Sequence, residues 1–134
     1  MRYVLDASVA VAAAHPSEPT HAAALARVTR VLEGADELVL PVIFSIEVAA
    51  ALSRTGSPAR VVDRFVARLI ATPTRILTIG PRTALRIQRV AMRLRLRAAD
   101  AAYVWLAERE GLPLVTSDRE MLQRGAAACQ VEAP

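Results

Sequence analysis

The sequence predicts a single α/β domain, a three-layer α/β/α sandwich around a central, mainly parallel sheet. The composition is 54% hydrophobic but only 4% aromatic, so the core is aliphatic and rich in alanine, which favours helix. Short β-prone runs alternate with longer helical patterns along the chain, which is typical of parallel strands joined by crossover helices. The 134 residues suit one hydrophobic core, and we expect one domain over residues 1–134.

The first half of the chain begins at a predicted strand-to-helix corner. Residues 2–5 are β-prone and end at Asp6, after which Asp6 and Ser8 offer cap side chains for a helix over 9–14. Apolar residues at helical spacing predict a helix over 20–32, and a strand is expected over 37–40. An apolar helix over 42–52 follows, and Glu47 interrupts its apolar run.

The second half continues the alternation in the order helix, strand, helix, helix, strand, helix and edge strand. Turn residues such as Gly80-Pro81 and Gly111 separate these segments. The elements are expected over residues 59–71, 75–79, 83–94, 98–110, 113–116, 118–125 and 130–132.

The composition excludes several classes of function. All 17 basic residues are arginine, so the chain lacks the lysine that a Walker-type phosphate loop or a Schiff-base mechanism requires. Cys129 is the single cysteine and has no thiol partner or histidine cluster with which to bind zinc. No apolar run reaches the roughly 20 residues that span a bilayer, and we expect a cytoplasmic protein that does not bind membranes.

Four acidic residues stand in mostly apolar stretches: Asp6, Glu47, Asp100 and Asp118. Asp6 and Asp118 each follow a predicted strand, and parallel strands bring both to the carboxyl edge of the sheet. Asp100 lies near a helix start, and the helix that carries Glu47 can pack over the same edge. Because a buried carboxylate requires pairing or a metal ion, the four acids predict one pocket that holds a divalent metal.

Other interpretations of these residues stay open. Each aspartate also fits a simple helix cap, and Glu47 also fits a pair with a distant arginine. Ser8 and Thr116 are candidates for hydrogen bonds that orient the metal-binding carboxylates, and they fit caps equally well.

Short motifs around the four acids recur in order along the whole chain. They read VLDASV at 4–9, SIEV at 45–48, DAAY at 100–103 and VTSD at 115–118. In this order and spacing they resemble the PIN-domain nucleases, and within them the VapC-like toxin ribonucleases of toxin–antitoxin pairs. The family's acidic residues fall on Asp6, Glu47, Asp100 and Asp118.

The resemblance implies a PIN-like fold and a phosphodiesterase that uses one or two Mg²⁺ or Mn²⁺ ions to cut single-stranded or loop RNA. Asp6, Asp100 and Asp118 are the expected metal ligands, and Glu47 is either a ligand or a base that positions water. A non-catalytic PIN-like module that binds RNA or a partner is the alternative function. The four intact acids argue against that alternative.

An arginine run precedes Asp100. Arg82, Arg86, Arg89 and Arg93 share one helical face, and the run continues through Arg95 and Arg97. We expect Arg93, Arg95 and Arg97 in particular to bind RNA phosphates, although a solvated helix face is the competing interpretation.

The resemblance also implies protein partners. We expect a small cognate antitoxin whose C-terminal segment covers the groove, and a homodimer. The apolar helices over 42–52 and 59–71 are candidate contact surfaces for these partners. A toxin and a housekeeping nuclease both remain compatible with the sequence.

Overall fold

The protein folds around one parallel sheet. The computed structural model describes residues 1–71 and 73–134, and five strands of this part pair side by side in the order β3-β2-β1-β4-β5. Every pairing is parallel. The strands are β1 (Arg2–Leu5), β2 (Glu37–Pro41), β3 (Thr74–Leu77), β4 (Leu114–Val115) and β5 (Val131–Glu132).

Helices connect the strands and form the outer layers. In the described residues they are α1 (Ala7–Ala14), α2 (His21–Leu32), α3 (Ile43–Arg54), α4 (Ala59–Ala71), α5 (Pro81–Leu94), α6 (Ala98–Glu110) and α7 (Arg119–Arg124). A short 3₁₀ turn, Gly125–Ala127, follows α7. This arrangement confirms the predicted three-layer α/β/α sandwich, with a sheet that is parallel throughout.

The central strand β1 explains why the sequence begins with a continuous apolar run. Tyr3, Val4 and Leu5 are fully buried, because helices cover both faces of a parallel sheet and leave no solvent side. From β1 the sheet extends through β2 in one direction and through β4 in the other. Such a reversal of strand order opens a crevice at the carboxyl ends of the strands, directly after β1 and β4.

The predicted boundaries of α4 and α6 match the structure, whereas two other helices begin earlier than predicted. Helix α5 begins at Pro81 instead of residue 83, because proline lacks only an N–H that the first turn leaves unpaired anyway. The residue after α5, Arg95, is left-handed with φ 54°, and so is Gly111 after α6, with φ 64°. Helix α1 begins at Ala7 instead of residue 9. Each helix in the described part of the chain is too short or too polar to cross a membrane.

Candidate active site

The four predicted acids line one pocket. This pocket, about 440 Å³ in volume, contains Asp6, Glu47, Asp100 and Asp118. Asp6 follows β1, Glu47 lies in α3, Asp100 lies in the first turn of α6 and Asp118 precedes α7. Acidic side chains from four separate segments thus line the crevice at the carboxyl edge of the sheet.

Asp6 is the most deeply buried of the four, at 4% exposure. It occupies the N-cap position of α1, yet its side chain makes no capping hydrogen bond. Instead, Oδ2 accepts hydrogen bonds from the Ser8 hydroxyl and from Thr116 Oγ1, the latter at 2.8 Å. Burial raises the pKa of Asp6 to about 6, against the lowering effect of both hydroxyls, and the charges of Glu47 and Asp100 raise it further.

The two hydroxyls also hold the segment after β4 in place. Thr116 Oγ1 accepts a hydrogen bond from the Asp118 N–H at 3.0 Å, and Ser8 Oγ accepts one from the Ser117 N–H at 3.1 Å. The same side chains therefore orient the Asp6 carboxylate and fix the backbone that carries Asp118.

Glu47 has a tyrosine as its partner. The fully buried Tyr103 donates its hydroxyl to Glu47 Oε2 at 2.6 Å. Burial and the Glu47 carboxylate raise the pKa of Tyr103 well above its usual value, so the hydroxyl stays protonated and donates a hydrogen bond to Glu47. Burial also raises the pKa of Glu47, partly opposed by this hydrogen bond. The pairing with a distant arginine, which the sequence left open, does not occur in the described residues.

Arg97 joins the two remaining acids. Its Nε donates to Asp100 Oδ2 at 2.8 Å and its Nη2 donates to Asp118 Oδ2 at 2.9 Å. Burial raises the pKa of Asp100 in spite of this arginine. Asp118 also caps α7, because Oδ1 accepts from the Met121 N–H at 3.0 Å. For Asp118, the cap and the pocket acid are both correct descriptions.

Three of the carboxylates keep an oxygen that accepts no hydrogen bond from the described residues: Asp6 Oδ1, Glu47 Oε1 and Asp100 Oδ1. Carboxylate oxygens are the donors that Mg²⁺ and Mn²⁺ prefer. Only Arg97 forms ion pairs with the four acids among residues 1–71 and 73–134, so an excess of negative charge remains for a cation to offset.

The pocket therefore fits a divalent cation in donor type and in charge. As the side chains stand, no three of the described His, Cys, Asp and Glu side chains converge on one metal position. A bound cation would compete with the Arg97 guanidinium for Asp100 and Asp118.

The predicted RNA-binding arginines do not all reach the pocket. Arg97 lines it, whereas Arg93 pairs with Glu108 at 2.8 Å and Arg95 ends α5. Arg82, Arg86 and Arg89 are exposed on α5 away from the pocket lining.

A second arginine, Arg54, also lines the pocket and was not among the predicted site residues. It follows Glu47 by seven residues in α3, two helical turns that return to the same face. That spacing is the signal in the sequence that would have found it.

A model of the PIN domain family matches residues 3–127 of this chain. The chain belongs to the PIN domain family. This match confirms the resemblance inferred from the motifs, and the parallel sheet with its acidic crevice is the PIN-like fold that the resemblance implied. Comparison with curated proteins finds no match.

Solved structures of other proteins superpose on nearly all of this chain. PAE2754 from Pyrobaculum aerophilum is 26% identical, with a TM-score of 0.70 over 97% of this chain and 83% of that one. VapBC2 from Rickettsia felis, bound to a DNA fragment from its promoter, is 12% identical with a TM-score of 0.70 over 99% and 98%. FitAcB from Neisseria gonorrhoeae is 18% identical with a TM-score of 0.64 over 98% and 96%. The last two likenesses establish the fold alone.

Proposed function

We propose that this PIN domain protein is a metal-dependent endoribonuclease, the toxin of a toxin–antitoxin pair, that hydrolyses single-stranded or loop RNA. The observation that carries the proposal is the meeting of Asp6, Glu47, Asp100 and Asp118 in one pocket. Proteins with this domain are generally nucleases. A toxin–antitoxin complex from Klebsiella pneumoniae shares the fold, with a TM-score of 0.66, which supports the same class of protein.

Each acid has a distinct part in this proposal. Asp6, Asp100 and Asp118 hold one or two Mg²⁺ or Mn²⁺ ions, and Glu47 is a further ligand or positions the attacking water. Bound divalent ions activate water and offset charge on the scissile phosphate. Thr116 and Ser8 keep the Asp6 carboxylate oriented for this task.

An apolar groove beside the acidic pocket supports an antitoxin partner. It has a volume of about 610 Å³ and shares Glu47 and Ala99 with the pocket. It lies between α3, α5 and α6 and includes Ile46, which is 65% exposed. We propose that the C-terminal segment of a small antitoxin covers this groove with apolar side chains and thereby closes the adjacent pocket.

We further propose a homodimer through α3 and α4. Val42 and Val61 are exposed apolar side chains on or beside these two helices and lie outside the apolar groove, and burying such side chains favours association. Light scattering of the purified protein tests this part: a mass of twice 14.4 kDa is expected, and a monomer at micromolar concentration would refute it.

Cleavage of RNA by the purified protein tests the enzymatic part. Mixed single-stranded RNA is incubated with Mg²⁺ or Mn²⁺, with and without EDTA, and the new ends are sequenced. We expect cleavage only with metal, and we expect Asp6→Asn and Asp100→Asn to abolish it while circular dichroism shows an intact fold. Asp63→Asn, the same change at an exposed site on α4, is the matched control.

Two other outcomes would redirect the proposal. RNA binding without cleavage under any metal would favour a non-catalytic module. Efficient cleavage in vitro without growth arrest on induced expression would remove the toxin assignment and leave a housekeeping nuclease. For the toxin, we expect growth arrest by the wild type and none by Asp100→Asn.

A further inference from the structure

The wall of the acidic pocket formed by α3 ends in an arginine. Glu47, Ala50, Ala51 and Arg54 all line the pocket, and their spacing of three, one and three residues places them on one face of the helix. The two alanines contribute only methyl groups between the acid and the arginine. This wall therefore has a charged group at each end and a low, uncharged surface between them.

Arg54 is not part of the carboxylate network. Arg97, the other arginine of the pocket, bonds both Asp100 and Asp118. Arg54 is exposed and forms no salt bridge or hydrogen bond through its side chain with residues 1–71 or 73–134. Its backbone lies about 10 Å along the helix axis from Glu47, since seven residues each rise 1.5 Å. The guanidinium is thus a permanent positive charge that borders the acids without neutralising them.

We propose that Arg54 binds a phosphate of the RNA next to the scissile one and so fixes the path of the strand along α3. This role rests on the proposed function and makes Arg54 a residue that binds the RNA substrate. A pocket with four carboxylates repels a polyanion, and an unpaired arginine at its border offsets that repulsion where the strand enters. The planar guanidinium can donate two parallel hydrogen bonds to one phosphate. The methyl groups of Ala50 and Ala51 leave room for the sugar between the two phosphates.

Binding of a fluorescent single-stranded RNA by the full chain tests this inference. The experiment uses an Asp6→Asn background to prevent cleavage and compares it with Asp6→Asn/Arg54→Ala. Fluorescence anisotropy in Mn²⁺ is recorded from low to high salt. Loss of one charge-assisted phosphate contact predicts a Kd increase of roughly tenfold at low salt, and the slope of log K against log salt becomes shallower by about 0.7.

Arg64→Ala in the same background is the matched control. Arg64 is exposed on α4 outside the pocket and carries the same charge, so its loss should leave the salt slope and Kd nearly unchanged. Arg54→Lys should keep the slope and recover only part of the affinity, because a point charge replaces the bidentate fork. Equal weakening by the two alanine variants, or an unchanged slope for Arg54→Ala, would overturn the assignment.

Cleavage kinetics separate this inference from the proposed function. In an otherwise wild-type protein, Arg54→Ala should raise KM more than it lowers kcat and should leave Tm unchanged. If the wild type cleaves RNA and Arg54→Ala has the same KM as the wild type, the role of Arg54 is refuted and the proposed function stands. A wild type that neither binds nor cuts RNA would defeat both.

Discussion

Replacing Asp6 with asparagine should stabilise the metal-free protein. Asp6 is 4% exposed and both its hydroxyl donors, Ser8 and Thr116, bond to a single oxygen. The amide oxygen of asparagine can accept both bonds in the same place, so the change removes a buried charge without removing its partners. In this account the wild-type protein tolerates the charge because a cation binds there.

The size of the effect follows from the pKa of the carboxyl. Burial raises the pKa of Asp6 from 3.8 to about 6, and each pKa unit corresponds to 1.36 kcal/mol. Because the folded state holds its proton more tightly than the unfolded chain, this group destabilises the fold increasingly as pH rises from about 4 to about 6. Above that range the full penalty is present, up to about 3 kcal/mol at pH 7.

Urea unfolding in EDTA between pH 3.5 and 7.5 measures the difference between the two proteins. We expect Asp6→Asn and wild type to be equally stable near pH 3.5, with the variant more stable by about 1–3 kcal/mol at pH 7. Asp63→Asn, an exposed change of the same charge, is measured alongside as the control. A variant less stable than wild type at pH 7, or a constant difference across the range, would refute the reasoning.

Two further side-chain contacts and the binding of metal can be tested by substitution. Tyr103→Phe removes the hydrogen-bond donor to Glu47 Oε2 and should lower the free energy of unfolding by about 1–3 kcal/mol. It should also raise the pKa of Glu47, which an NMR titration measures. An unchanged Glu47 titration would argue against this contact. Asp36→Asn removes the buried anion that Arg30 holds through two bonds, at 2.8 and 2.9 Å, and should destabilise the fold by about 1–3 kcal/mol at pH 7. Because the Arg30 hydrogen bonds hold the pKa of Asp36 near 2, the loss of stability in Asp36→Asn should shrink as pH falls from about 4 towards 2. RNA cleavage by this variant should stay at the wild-type rate. Lost cleavage would contradict a purely structural role for Asp36. Millimolar Mn²⁺ should raise the Tm of wild type but not that of Asp100→Asn, and equal shifts would place the ion elsewhere.

The sequence predicted the elements well because their signals are local. Gly111 ends α6 in a left-handed conformation, as a glycine after a helix favours, and the alternation of short strands with helices predicted the layers. The sequence also predicted that Asp6 and Asp118 would lie in one pocket, because parallel strands share one carboxyl edge. These inferences require only neighbours in the chain and one topological rule.

The contacts inside the pocket depend on packing that no local signal encodes. The bond of Tyr103 to Glu47 spans 56 positions and depends on how α6 lies against α3. Arg97 was predicted to bind RNA phosphates, and no local signal indicated that it also bridges Asp100 and Asp118. Arg54 belongs to no motif around an acid, and only its seven-residue spacing from Glu47 along α3 indicates that both share one helix face.

Anomalous diffraction from crystals grown with Mn²⁺ tests the central claim most directly. We expect a manganese peak in the acidic pocket, coordinated by oxygens of Asp6 and Asp100, with the Arg97 guanidinium displaced from Asp100. A peak only at other surface sites, or an acidic pocket that stays free of manganese at millimolar concentration, would contradict the account.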